Sequence, residues 1–504
     1  MTNPPDSPPR DVGYNSSKAI MSGVTWAVLM RFSMRFIGLF STLILARLLT
    51  PDDFGVVALG TLVAHFLFEM TEFGSSMLLI RSREIDRQRC DTAWTITLLQ
   101  ALVTAAVLAI LAVPASLYFD EPRVIEVMYV LAASSFVAGF ENIGPVLARR
   151  DLKFALDFRF NLYKKCLVFV ATVASALIFR SYWALVIGLL SGNIAGVLLS
   201  FLLFEHRPRW CLKYAGEYLR FGLAIIPLRL ATTLREMIPA FLVAGVGHTS
   251  TMGSYRVARD LANLFTSEIV TPMGRGLLPN YVRLADQPEE LSRVYRGVLG
   301  MVIFVCMPVA VGVASVASDL TLVLLGPQWD VVRTLLGYLA IGAAGFAVSQ
   351  AMVNQILVAT GRERAAAVLA WIRLAITVPI LWAGLEFQGV IGLAKATIIA
   401  PLVCLPVLYN EIRQAVTLPL SAFFALFWRP VIGASLMYFV VKGLHNPEVP
   451  WAILRLAQDV VVGVLSFTVT SALLWWLAGQ PRGAESFLLG KLREIQKMYV
   501  RIRV

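Results

Sequence analysis

Apolar runs long enough to cross a bilayer recur from one end of this chain to the other, and they constrain the fold more than any single motif. Residues 182–204, for example, contain no Asp, Glu, Lys or Arg. A membrane-spanning helix needs about 20 mostly apolar residues, whereas a barrel strand needs only about 10 in strict alternation. Only 15% of the chain is charged, where a soluble protein carries about 25%, and mean hydropathy is +0.72. The sequence reads as an all-α polytopic membrane protein of about fourteen transmembrane helices. They are expected near 20–48, 54–80, 92–119, 124–148, 154–179, 182–204, 217–246, 251–282, 294–317, 330–359, 363–385, 388–412, 418–443 and 452–478.

The loops sort by charge. One alternate set carries Arg81, Arg83, Arg87 and Arg89, then Arg149, Arg150 and Lys153, then Arg207, Arg209, Lys213 and Arg220, and continues through Arg283, Arg293, Arg296, Arg362, Arg364 and Arg413. The other set holds little beyond Arg47, Arg123, Arg180 and Lys442. Basic loops stay in the cytoplasm. This places both termini there and points to a multi-pass protein of the bacterial inner membrane. The same bias accounts for the net charge of +12 without nucleic acid. Five scattered cysteines and four dispersed histidines suggest neither disulfide nor metal site, and no cofactor is implied. Residues 1–19 read as a disordered cytoplasmic tail, and 480–504 as a basic amphipathic tail on the anionic leaflet.

Charges inside the expected spans need an explanation, because each costs roughly 2.5–3.5 kcal/mol at bilayer depth even on the mildest scale. Arg31 and Arg35 lie one turn apart on one face of the first helix. Lys164, Lys165, Arg229, Arg235, Arg256 and Arg259 add cations, as do Arg373, Lys395 and Arg429 further on. Acids are fewer: Glu69, Glu72, Glu141, Glu236, Asp260 and Glu268. Some cations must pair with them, and depth makes Glu69 or Glu72 a partner for Arg31. Ion pairs that hold helices together, or snorkelling to an interface, account for part of the set. Arg429 in particular reads as structural or lipid-facing at a groove. The surplus points to a wet, electropositive cavity lined by Arg31, Arg35, Lys164, Lys165, Arg229, Arg235, Arg256 and Arg259. Such a cavity suits a diphosphate. Glu69, Glu72 and Asp260 are candidates for charge pairing or ion coupling.

A shift of 198 residues lays 31–55 over 229–253, so that Arg31 falls on Arg229, Gly55 on Gly253, and Thr50–Pro51 on His248–Thr249. This is the spacing of a duplicated half. It divides the chain into an N-lobe (20–204, six helices), a linker (205–216), a C-lobe (217–414, six helices) and two further helices (418–479). Asp52 and Asp53 after Thr50–Pro51 read as helix-start residues rather than a catalytic acid pair. Pro227, Pro239, Pro272, Pro308 and Pro379 mark possible kinks.

Four stretches carry a family resemblance: LARLLTPDDFGVVALGTLV (45–63), EFGSSMLLIRSREID (72–86), LARRDLKFALDFR (147–159) and QILVATGRERAAAVLAWIR (355–373). In this order they resemble the polysaccharide-export flippases of the multidrug/oligosaccharidyl-lipid/polysaccharide superfamily. The resemblance implies two six-helix lobes around a central cavity with alternating access. It implies an undecaprenyl-diphosphate-linked oligosaccharide moved from the cytoplasmic to the periplasmic leaflet, for exopolysaccharide, capsule or O-antigen. Membrane lipids and a polysaccharide polymerase or export machinery are the implied partners. No GxxxxGK[ST] loop is present, so the chain is expected to be a transporter and not an enzyme. A lipid II flippase shares the need for a cationic cavity. A drug or cation antiporter would favour acids. A membrane glycosyltransferase or polymerase would need a long extramembrane loop, which the span assignment leaves no room for.

Overall fold

A computed structural model describes residues 12–82, 86–246, 248–416, 418–481, 483–486 and 490; side chains at 12–28, 31, 81, 224, 225, 228, 267–279, 350–352, 354, 355 and 363 lie outside that description. Of the tail expected to be disordered at 1–19, residues 12–19 are instead helical, as the start of α1; residues 1–11 and most of 480–504 lie outside the description, as do the side chains of Arg31 and Glu268. The chain divides into two compact units, Met1–Arg229 and Leu230–Val504, with the boundary inside one helix.

The first unit contains α1 (Val12–Leu48), α2 (Pro51–Thr71), the short α3 (Ser75–Arg81), α4 (Arg87–Phe119), α5 (Arg123–Ala138), the short α6 (Gly144–Arg150), α7 (Phe154–Phe179) and α8 (Trp183–Leu203), and the start of α9 (Ala215–Ala244). The second contains the rest of α9, then α10 (Thr249–Arg283), α11 (Pro288–Leu324), α12 (Asp330–Ala359), α13 (Glu363–Ala415), α14 (Leu420–Leu444) and α15 (Ala452–Leu477). No strand occurs among the described residues. In lipid the backbone must satisfy its own hydrogen bonds, and a helix does so within one segment. Nine helical segments among the described residues are long and apolar enough to cross a membrane.

Two expected helices are interrupted. The one at 54–80 breaks at Glu72–Gly74, where Gly74 takes a left-handed conformation (φ 68°) open to a residue without Cβ. The one at 124–148 breaks between Ala138 and Gly144. The pair expected at 363–385 and 388–412 is present as two helices that meet at non-helical backbone at Gln388 and Gly389, numbered together as α13.

Packing is inverted relative to a soluble protein. Ile110, Leu117, Leu202 and Phe387 are all more than 70% exposed, as lipid-facing residues are. The interior uses small residues that let helices approach closely. A Cβ at Gly188 on α8 would lie 2.1 Å from the Thr172 hydroxyl on α7. The second unit builds its core where α10–α14 meet, around Tyr295, Leu299, Ile303, Leu357 and Leu408.

Candidate functional site

The charge clusters begin with local helix chemistry. At the start of α2, Thr50 and Asp53 form a capping box, each side chain receiving the other's backbone N–H. Asp52 instead accepts from Arg123 Nη1 at 2.8 Å, and Glu121 accepts from the same guanidinium at 2.7 and 2.8 Å. Arg123 holds the Glu121 carboxyl below its usual range. The Asp52–Asp53 pair is thus a helix start and an ion pair.

At the other end of α2 the break leaves the last carbonyls without helical partners, at the negative end of the helix dipole. Arg229 of α9 fills that position. Its Nε donates to Glu69 Oε2 at 3.0 Å, its Nη1 to the Glu72 backbone carbonyl at 2.9 Å, and its Nη2 to the Glu72 carboxylate. The acids expected to meet Arg31 thus meet Arg229, and these three candidates form one lock within the first unit.

Beside this lock lies a cavity of about 520 Å³ whose wall includes Thr61, His65, Glu72, Ser75, Gln100 and Asn193. Its hydroxyls and amides come from α2, α3, α4 and α8, and Thr71 Oγ1 and Thr104 Oγ1 stand 2.8 Å apart. Sequence reading passed over these residues, because scattered Ser and Thr give no signal until helix packing collects them.

The adjacent lysines of α7 separate as their helical positions require. Lys164 Nζ donates to Glu141 Oε2 at 2.9 Å. Gly196 of α8 makes room for that pair: a Cβ there would lie 2.5 Å from both charged groups. Lys165 turns toward α1, with Nζ 3.7 Å from where a Cβ on Gly38 would be, and within electrostatic reach of Arg35. Among the described residues Lys165 has no carboxylate partner.

In the second unit a cavity of about 480 Å³ collects Arg235, Glu236, Arg259 and Arg373 from α9, α10 and α13. Arg259 Nη2 donates to the Glu236 backbone carbonyl at 2.7 Å. Arg256 and Asp260 form an i,i+4 pair at 3.7 Å with both side chains exposed.

A family profile described as "Polysaccharide biosynthesis protein" matches residues 44–334, more than half of the chain. The chain belongs to that family. Two relatives are similar over most of their lengths. The succinoglycan biosynthesis transport protein ExoT of Rhizobium meliloti (strain 1021) is 24% identical over 469 residues, 90% of this chain and 93% of that protein. The lipopolysaccharide biosynthesis protein WzxC of Escherichia coli (strain K12) is 20% identical over 430 residues, 84% of this chain and 83% of that protein. Among solved structures, the lipid II flippase MurJ in an inward closed conformation is similar with a TM-score of 0.68 at 12% identity, covering 90% of this chain and 99% of that one. An inward-facing multidrug MATE transporter of the MOP superfamily is similar with a TM-score of 0.56 at 16% identity, covering 76% and 95%. The all-α fold is therefore shared with these two solved structures.

Ion pairs that sequence reading missed lie in the last helices. Arg455 of α15 donates to both oxygens of Asp319 on α11 at 2.9 and 3.3 Å, and His445 Nδ1 lies 2.8 Å from Asp459 Oδ2. Asp319, His445 and Asp459 stand within 4.8 Å of one another, but the arginine already occupies the Asp319 carboxylate. Arg429, read as structural or lipid-facing, pairs with Glu485 at 2.6 Å with both side chains nearly buried.

Proposed function

We propose that this protein is a flippase that moves a lipid-diphosphate-linked oligosaccharide across the membrane for polysaccharide biosynthesis, by alternating access of its two units. The observation that carries this reading is a surplus of helix-borne cations in a chain of the polysaccharide biosynthesis family, with Lys165 set beside Arg35 and unmatched by a carboxylate among the described residues. Arginine and lysine in a partly dry site bind phosphate oxygens through charge-assisted hydrogen bonds. Arg31, Arg35 and Lys165 are the diphosphate ligands in this reading. Arg229, Glu69 and Glu72 act as a conformational lock rather than a binding site.

The basic loops hold the cytoplasmic side, so substrate enters from the cytoplasmic leaflet of the inner membrane and leaves on the periplasmic one. A polymerase or export complex is the downstream partner. Deleting the gene and analysing surface glycans tests the reading. Loss of one surface polysaccharide with an intact cell wall is the expected outcome. Lysis would assign the protein to peptidoglycan instead, and unchanged glycans with altered drug tolerance would assign it to drug export.

A further inference from the structure

The cavity of the second unit holds a charge problem that the protein does not solve by itself. Arg235 and Arg373 are each only 5% exposed. Arg373 Nη2 donates to Ser349 Oγ at 2.9 Å, a neutral acceptor. The Arg235 guanidinium lies over the Phe346 ring, 4.4 Å from its centroid, and its buried Nη2 has no hydrogen-bond partner among the described residues. The two guanidiniums are close enough to repel. The described wall offers three arginines against the single carboxylate of Glu236, and neither buried arginine forms an ion pair among the described residues. A buried guanidinium left unpaired is strongly destabilising, and arginine does not escape by giving up its proton. Water can fill its donors but cannot cancel its charge.

We propose that this cavity is a binding site for a free inorganic anion, held between Arg235 and Arg373. About 480 Å³ accommodates a halide or phosphate with its remaining waters, but not a lipid-linked oligosaccharide. Phe346 covers one side of the Arg235 guanidinium and offers no acceptor in the plane of a hydrogen bond, which leaves the buried Nη2 donor available to an anion. The bound ion cancels the repulsion between α9 and α13 and so stabilises the second unit. The site is separate from the glycan reading, and each stands or falls without the other.

The full-length chain, purified in detergent, is unfolded thermally at constant ionic strength while gluconate is exchanged for chloride, and separately for phosphate. The midpoint should rise saturably with at least one of the two ions, as binding to the folded state requires. Equilibrium binding of radioactive chloride or phosphate should approach one ion per chain. Arg235→Gln with Arg373→Gln should abolish both effects. Should that double variant fail to fold, Arg235→Lys with Arg373→Lys keeps the charge and should raise the half-saturating concentration about tenfold, because an ammonium lacks the planar donor fork. Absence of saturable binding by the wild-type chain would overturn the proposal. So would an anion response unchanged in the variants, or displacement of the ion by undecaprenyl diphosphate, which would give the site to a lipid headgroup.

Discussion

Arg229 is the side chain on which the first unit's charge arrangement turns. It meets two carboxylates and one backbone carbonyl at the end of α2, and those acceptors lie 157 and 160 residues away in the chain. Arg229→Gln leaves both acids and the carbonyl without their partner. The guanidinium is 26% exposed, so the loss should be about 1–2 kcal/mol rather than the figure for a fully buried pair. A drop in the unfolding midpoint of the purified protein measures it. Arg229→Lys should recover only part, since one ammonium cannot fork across three acceptors. Gly196→Ala tests the neighbouring pair. Its Cβ would sit between Lys164 and Glu141, and forcing them apart should cost about 1–3 kcal/mol, read in the same unfolding assay. The depth of these cations was legible in the sequence, because an arginine inside an apolar run stands out. Their partners were not. Depth suggested Glu69 or Glu72 for Arg31, whose side chain lies outside the described residues; what brings both acids to Arg229 is a helix break that depth does not reveal.

Helix starts were more legible than helix interruptions. Thr50, Pro51 and Asp53 announce α2 with cap chemistry that is entirely local, and the structure forms the capping box they imply. The starts of α2 and α10, at Pro51 and Thr249, are 198 residues apart, the shift of the sequence repeat. The prolines read as kink positions lie inside continuous helices, Pro227 and Pro239 in α9 and Pro308 in α11, while the breaks fall at Gly74 and Gly389. A proline can be tolerated in a membrane helix whose neighbours satisfy the freed carbonyl, whereas a positive φ favours glycine, although Asp120 and Arg180 also adopt it at the ends of α4 and α7. The linker after α8 shows a different element-level device. Asp91, 4% exposed on α4, accepts from the Arg209 backbone N–H at 3.2 Å and lies 3.2 Å from His206 Nε2, with Arg87 and Arg207 nearby. Burial lowers the His206 pKa below its ordinary 6.5, outweighing the opposite pull of Asp91. The unfolded linker therefore binds the proton more readily than the docked one. Docking is at full strength above about pH 6.5 and weakens as pH falls toward the folded value. Hydrogen exchange over 205–214 should accelerate relative to its intrinsic rate between pH 7.5 and 5.5. His206→Gln should remove that acceleration, and an unchanged pH response in the variant would contradict the assignment.

At the scale of the whole molecule, two kinds of intramembrane cation do different work, and α7 offers a comparison between neighbours. Lys164 and Lys165 share residue type and depth, but Lys164 is paired with Glu141 while Lys165 faces Arg35 without a carboxylate partner among the described residues. A paired cation stabilises the fold, and removing it strands an acid in a dry site. A cation beside another cation adds no such stability and even opposes it, so its retention calls for a ligand. Lys165→Gln should therefore leave the unfolding midpoint unchanged or slightly raised, while polysaccharide export in a deletion strain carrying the variant falls about tenfold or more. Lys164→Gln should lower the midpoint, and adding Glu141→Gln should restore much of it, because the stranded carboxylate is then neutral. Export should follow protein abundance for the Lys164 variants and fall beyond abundance for the Lys165 variant. If Lys165→Gln exported normally at normal abundance, the diphosphate would be held elsewhere and the α1–α7 cation pair would lose its role. If both variants merely destabilised, the surplus of cations would be a packing feature, and the glycan would need a different handle.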